Sequence, residues 1–124
     1  MLGDRVADMS VIGANATHVL RPENGLTRVP ASLDAAEATA LILSGVTAQQ
    51  MLFRHAKLWA GARILVQGGS GGVGWFALQL ALRAGARVWT TARPEHQAAL
   101  RALGATALDY RSPDYPALLP RAVG

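Results

Sequence analysis

Short apolar runs alternate with helical patterns in the second half of the chain. A nearly continuous apolar run is typical of a strand buried on both faces of a parallel sheet. Residues at helical spacing follow the runs, and glycine stands where each helix is expected to end. This pattern predicts an α/β fold with a parallel β-α-β-α-β sheet. The predicted strands are Arg63–Gln67, Arg87–Thr91 and Thr106–Tyr110, and the helices are Trp75–Leu82 and Pro94–Leu103.

The residues before position 61 predict two short strands and two helices. β-branched side chains favour the strands. Asp34 is placed to cap the first helix, and Glu37, three residues on, completes a capping box. The predicted strands lie over residues 4–12 and 17–20, and the helices over residues 34–43 and 47–58, with a break at Ser44–Gly45. One more short helix is predicted within residues 113–124.

A glycine cluster joins the strand over Arg63–Gln67 to the next helix. Gly69, Gly71 and Gly74 match the dinucleotide fingerprint G-x-G-x-x-G of Rossmann-type folds. Gly69 is expected to allow the tight turn, Gly71 to admit a pyrophosphate, and Gly74 to let the helix pack closely. The alternative is a flexible glycine loop without a ligand. The predicted cofactor-binding residues of the loop are Gly69, Ser70, Gly71, Gly72, Val73 and Gly74.

The end of the second parallel strand indicates which nucleotide is bound. Sites for NAD usually place Asp or Glu there, to accept hydrogen bonds from the ribose 2′-hydroxyl. This chain has no acid in Thr90–Pro94, but it has Thr91 and Arg93. A guanidinium suits a 2′-phosphate, so NADPH is the predicted cofactor. The alternative is that Arg93 is a solvated loop residue.

Composition narrows the classes of function. The 124 residues include no cysteine, which excludes a disulfide scaffold and a thiolate nucleophile. The net charge is +4, but the 12 Lys and Arg residues are scattered singly, so no nucleic-acid partner is expected. No apolar run suits a signal peptide or a membrane span, and a cytoplasmic location is expected. His18, His55 and His96 lack metal-ligand spacing, so no metal site is predicted.

Several segments together resemble the medium-chain dehydrogenase/reductase superfamily, and within it the zinc-free quinone oxidoreductase branch that is similar to ζ-crystallin. The resemblance covers nearly the whole chain. It implies a remnant of a GroES-like β domain over residues 1–33, connecting helices over 34–60, and the first half of a Rossmann domain over 61–124. The matching segments are Gly3–Val6, Asp34–Ala38, Gly45–Ala48, Ile64–Gly74, Leu103–Ala105 and Asp109–Arg111.

The resemblance also implies roles for particular residues. Thr47 would lie near the nicotinamide, and Tyr110 would join Thr91 and Arg93 at the 2′-phosphate. The family often has a lysine four residues after Arg93, where this chain has Gln97; Arg93 is interpreted as its substitute. Zinc-dependent relatives have a cysteine at about Leu43, so no zinc is expected here.

The implied activity is hydride transfer from NADPH to a small-molecule acceptor, either a quinone or an α,β-unsaturated carbonyl. Family members are longer than this chain, which implies an internal part of a longer protein, weakly active or inactive alone. The full-length relative is expected to be a homodimer without a membrane partner. Two alternatives stay open: a zinc-type alcohol dehydrogenase of the same superfamily, and a non-catalytic NADPH-binding or interaction protein.

Overall fold

The chain divides into two compact units, Met1–Leu43 and Ser44–Gly124. The computed structural model describes residues 2–118. Within these residues no helix is long and apolar enough to cross a membrane.

The first unit contains one small antiparallel sheet. Strand β1 (Val6–Ala7) pairs with β2 (Thr27–Arg28), and Val6 lies opposite Arg28. The strand predicted over residues 4–12 is therefore much shorter than expected. The strand predicted over residues 17–20 is wrong, because that backbone has no partner strand and Leu20 is 98% exposed.

A polar turn explains why β1 stops so early. The carboxylate of Asp8 accepts hydrogen bonds from the backbone N–H and the hydroxyl of Ser10, both at 2.7 Å. The guanidinium of Arg21 pairs with the same carboxylate at 2.6 Å. Aspartate competes in this way with strand pairing. These contacts lower the pKa of Asp8 to about 2, and the hydrogen bonds from Ser10 contribute more than the contact with Arg21.

The capping box predicted at Asp34 is present. Asp34 Oδ1 accepts from the backbone N–H of Glu37 at 2.7 Å, and Glu37 Oε2 accepts from the backbone N–H of Asp34 at 2.9 Å. These two bonds satisfy donors that a helix start otherwise leaves unpaired. Helix α1 (Ala35–Ala40) begins directly after the cap.

The predicted break at Ser44–Gly45 is wrong. A π-helical turn (Leu41–Gly45), helix α2 (Val46–Gln49) and a second π-helical segment (Gln50–His55) follow one another. Gly45 adopts φ −69° and ψ −44°, which are ordinary helical angles that glycine can take like any residue. The helical backbone ends at His55, before the predicted Leu58. The reason is local, since Lys57 has a left-handed φ of 49°.

The second unit has a three-stranded parallel sheet in the order β3-β4-β5, and the predicted α/β fold is confirmed. Helices α3 and α4 cross over between successive strands. Residues 115–118 are helical; the rest of the helix predicted up to residue 124 lies outside the described residues. The elements are β3 (Arg63–Val66), α3 (Gly72–Arg83), β4 (Arg87–Thr91), α4 (Pro94–Ala102) and β5 (Thr106–Leu108).

The core of this unit lies between the sheet and its helices. Leu78 of α3 and Leu100 of α4 are fully buried, and Val88 of β4 is 4% exposed. Small side chains occupy most other core positions, so helices and sheet approach closely. The buried alanines of the core are Ala48, Ala62, Ala77, Ala81, Ala86, Ala92, Ala105 and Ala107.

Truncation of Leu100 tests this core. Leu100→Ala removes a fully buried side chain, so it should lower the free energy of unfolding by about 2–5 kcal/mol. Leu103, one turn further on and 37% exposed, is the matched control. Leu103→Ala should cost about 1 kcal/mol or less. Urea unfolding followed by tryptophan fluorescence measures both, and equal losses would contradict the packing described.

Acid titration tests the turn at Asp8. Because folding lowers the pKa of Asp8, its ionised carboxylate stabilises the folded state at pH values above about 4. This stabilisation is lost as the pH falls from about 4 to about 2. Ser10→Ala should raise the pKa of Asp8 toward its ordinary value of 3.8 because one accepted hydrogen bond is removed. Carboxyl NMR titration measures the change. Ser32→Ala, in an exposed turn of the same unit, should leave it unchanged.

Candidate functional site

The glycine loop forms the turn between β3 and α3. Gly68 has a left-handed φ of 70°, and its carbonyl accepts from the N–H of Gly71 at 2.9 Å. The tight turn was expected at Gly69, but the residue that needs the unusual backbone angle is Gly68. Gly69 is required for another reason. A Cβ at Gly69 would lie only 3.0 Å from the Cβ of Thr90 on β4 and overlap its hydroxyl.

Gly74 brings the first turn of α3 against this loop. A Cβ at Gly74 would overlap the carbonyl oxygen of Gly68 and lie 2.9 Å from its carbon. A Cβ at Gly71 would lie 3.3 Å from the same oxygen. The helix therefore sits as close to the turn as a residue without a side chain permits.

The amino end of α3 is open to a ligand. Its N-cap is Gly71, and no side chain caps the helix. The N–H of Trp75 is the first to bond within the helix, to the carbonyl of Gly71 at 2.8 Å. The N–H groups of Gly72, Val73 and Gly74 precede it and have no helix carbonyl to bind. Such a row of donors at the positive end of the helix dipole suits an anion such as a diphosphate.

A cleft of about 340 Å³ lies beside this loop. Three structural pieces form it: the glycine loop, the end of β4 with the start of α4, and the turn after β5. Parallel neighbours place the carboxyl ends of β4 and β5 at the same edge of the sheet as the loop. The lining residues are Gly68, Ser70, Gly71, Thr91, Ala92, Arg93, His96 and Tyr110.

Thr91 connects β4 to the loop. Its hydroxyl accepts from the N–H of Gly68 at 2.9 Å, and its carbonyl accepts from the N–H of Gly69 at 3.0 Å. The residue is 5% exposed, and Thr90 beside it donates its hydroxyl to the carbonyl of Val66 at 2.8 Å. These bonds fix the position of the loop relative to β4.

Arg93 and Tyr110 meet in the cleft, although 17 positions separate them in the sequence. A hydrogen bond to Tyr110 is the main cause that raises the pKa of Arg93, and attraction to Tyr110 and Glu95 adds to it. Glu95 is in the first turn of α4. Its carboxylate lies 3.9 Å from the guanidinium, and both side chains are more than half exposed, so this ion pair is weak.

Gln97 is not in the cleft. Its side chain is 8% exposed and donates to the carbonyl of Ala92 at 3.3 Å. It also accepts from the guanidinium of Arg101 at 2.6 Å, and Arg101 donates to the carbonyl of Ala107. Gln97 thus supports the turn before Arg93 from inside.

The structure brings together five of the predicted site residues, namely Ser70, Gly71, Thr91, Arg93 and Tyr110. Thr47 is elsewhere: it lies on α2, which packs on α3, and it does not line the cleft. His96, Gly68 and Ala92 were missed. Pro94 at the first helical position could have pointed to His96, because it places His96 in the first turn of α4. Within residues 2–118 no three His, Asp or Glu side chains could hold a metal ion.

A parallel α/β sheet with a glycine turn under a helix start is the nucleotide-binding architecture of Rossmann type. No protein-family model matches the chain. A trans-enoyl reductase of Aspergillus terreus is 32% identical over 118 residues, which are 94% of this chain and 33% of that protein. A chloroplast envelope quinone oxidoreductase homolog of Arabidopsis thaliana is 38% identical over 125 residues, covering 94% of this chain and 38% of that protein.

Solved structures agree with these relatives. A mycobacterial protein in complex with NADPH superposes with a TM-score of 0.80 at 33% identity, covering 92% of this chain and 35% of its own. The chain belongs to the medium-chain dehydrogenase/reductase superfamily, with enoyl reductases and quinone oxidoreductases among its relatives. It spans about a third of the length of the relatives described here.

A single methyl group at Gly74 tests the close contact under α3. Gly74→Ala should cost about 1–3 kcal/mol of unfolding free energy, because the methyl group meets the rigid backbone of Gly68. Gly72→Ala is the matched control. Its methyl group would lie 3.1 Å from the Ser44 hydroxyl, a side chain that can rotate away, so the cost should stay within about 0.5 kcal/mol. Urea unfolding compares the two, and equal costs would contradict the close contact.

Proposed function

We propose that the chain is the nucleotide-binding part of an NADPH-dependent oxidoreductase that reduces an α,β-unsaturated carbonyl or a quinone. The observation that supports this most is the cleft, in which Arg93 and Tyr110 stand beside the glycine loop. The residues that line the cleft lie between positions 68 and 110, and all of them belong to the second unit.

The loop fits a dinucleotide. Gly71 places no side chain over the loop, and the open N–H groups at the start of α3 can donate to phosphate oxygens. In this proposal the pyrophosphate lies over Gly71, between Ser70 and the first turn of the helix. Thr91 fixes the position of the loop relative to β4, because its hydroxyl accepts a hydrogen bond from the N–H of Gly68.

The lining of the cleft favours a 2′-phosphate over a 2′-hydroxyl. None of the residues that line it is acidic, so the carboxylate that binds the ribose of NAD has no counterpart among them. Arg93 offers a planar set of donors that suits a phosphate, and Tyr110 lines the same cleft. The solved relative in complex with NADPH supports the same choice.

The relatives support the proposed reaction. The nicotinamide cofactor supplies a hydride, and the protein binds and orients it. An α,β-unsaturated carbonyl and a quinone share an electron-poor C=C bond conjugated to a carbonyl, and a trans-enoyl reductase and a quinone oxidoreductase homolog are both among the relatives. We also propose that the reaction needs no zinc, that the protein is cytoplasmic and that its full-length form is a homodimer. It places Thr47 toward the nicotinamide.

Cofactor titration tests the proposal. NADPH should bind at least tenfold more tightly than NADH, a difference of about 1.4 kcal/mol. Arg93→Ala should remove most of this difference and leave the affinity for NADH nearly unchanged, because NADH lacks the 2′-phosphate. Nicotinamide fluorescence with energy transfer from tryptophan measures both affinities.

Arg87→Ala is the matched control. Arg87 is an exposed arginine at the opposite end of β4, so its removal changes the net charge equally without touching the cleft. Loss of the preference in Arg87→Ala as well would indicate a general charge effect. Equal binding of NADPH and NADH by the unaltered chain would refute the assignment of NADPH.

A further inference from the structure

The backbone around Arg93 is held by hydrogen bonds from two directions. Ala92, the residue before it, is 2% exposed, and its N–H donates to the carbonyl of Leu108 at 3.1 Å. The carbonyl of Ala92 accepts from Nε2 of Gln97 at 3.3 Å. The carbonyl of Arg93 accepts from the N–H of His96 at 3.0 Å, in the first turn of α4. The turn that carries Arg93 is therefore tied both to the end of β5 and to α4.

The side-chain amide of Gln97 is bonded at its other end as well. Gln97 is 8% exposed, and its Oε1 accepts from the guanidinium of Arg101, one turn further along α4, at 2.6 Å. The same guanidinium nitrogen donates to the carbonyl of Ala107 on β5 at 3.2 Å. Because both ends of the amide are bonded, its donor end stays directed at Ala92. We call this chain of three bonds, from Ala107 through Arg101 and Gln97 to Ala92, the β5 brace.

The β5 brace connects the two segments that lead to the cleft. At one end, Ala92 directly precedes Arg93. At the other end, Ala107 lies three residues before Tyr110. Arg93 and Tyr110 both line the cleft, whereas Gln97 does not. The brace can therefore affect the cleft only through the residues that it holds.

We propose that Gln97 is a positioning residue for Arg93, which sets how strongly the site prefers NADPH to NADH without touching the nucleotide. The inference rests on the proposed function, because the 2′-phosphate is the group that Arg93 would bind. The side chain of Arg93 is 63% exposed, so packing does little to fix it. Its backbone is the part that the protein holds in place, and a binding group works well only when its support is held closely.

Loss of the β5 brace should act on one nucleotide only. A turn that can shift keeps the guanidinium of Arg93 near the 2′-phosphate for less of the time, and the arginine then loses more freedom on binding. In the proposed function the pyrophosphate is bound by the glycine loop and the start of α3. The loop is held by Thr91 and makes no recorded bond to Gln97. NADPH should therefore bind less tightly, while NADH binds as before.

Calorimetric titration of the chain with NADPH and NADH tests the inference. Gln97→Met keeps the length of the side chain, but it cannot donate to Ala92 and accepts only weakly from Arg101. It should lower the preference for NADPH by about two- to fivefold, as expected for one neutral hydrogen bond, and the loss should fall on NADPH. In the Arg93→Ala background the same substitution should leave the preference unchanged, because Gln97 acts through Arg93.

A second variant, Arg101→Met, removes the anchor of Gln97 from an exposed position, so the fold should tolerate it. It should lower the preference for NADPH by about twofold. Arg87→Met removes the same charge at the opposite end of β4 and should not lower it. Gln79→Met is the control for residue type. Gln79 also donates from its side chain to a backbone carbonyl, that of Trp75 at 3.2 Å, and its loss should leave the preference unchanged.

Far-UV circular dichroism verifies that each variant is folded; if Gln97→Met does not fold, the comparison of Arg101→Met with Arg87→Met decides. The inference is overturned, and the proposed function stands, if the preference for NADPH is unchanged or if NADPH and NADH are weakened equally. The same holds if Gln97→Met lowers the preference as much in the Arg93→Ala background as in the unaltered chain. If the unaltered chain does not distinguish NADPH from NADH, both fall.

Discussion

The contact between the first turn of α3 and the carbonyl of Gly68 is the constraint on which the second unit depends. Gly74 has no side chain, so the helix axis can come within reach of the turn, and the open N–H groups of the helix then point toward the loop. A larger residue at Gly74 would push the helix away from β3. The core beneath, in which alanines separate the fully buried Leu78 and Leu100, tolerates no such shift without opening a cavity.

From this contact a chain of polar bonds continues across the sheet to Arg93 in the cleft. Thr91 holds the loop through Gly68, and Gln97 holds the carbonyl of Ala92 from the buried side. Arg93 follows directly and reaches Tyr110 on the neighbouring turn. The only carboxylate paired with Arg93 among the described residues is the exposed Glu95 at 3.9 Å, and this weak pair leaves the guanidinium available for an anion.

Local signals were enough to predict the parallel sheet, its two helices and the capping box at Asp34. They failed where distant residues decide the conformation. The strand over residues 17–20 had suitable β-branched residues but no partner strand, and the turn at Asp8 came from hydrogen bonds that composition does not show. Gly69 was assigned the wrong role because its constraint is Thr90, on another strand.

The residues of the site also divide into those that local signals predict and those whose positions depend on distant contacts. Arg93 and Thr91 could be predicted from the expected position of an acid at the end of β4, whereas the meeting of Arg93 with Tyr110 depends on the parallel register of β4 and β5. All residues of the cleft come from one unit, and Thr47, expected near the nicotinamide, is not among them. The cleft and Thr47 therefore occupy separate places on the second unit. A substitution at Arg93 changes the lining of the cleft and leaves Thr47 on α2 untouched, so the two places can be altered independently.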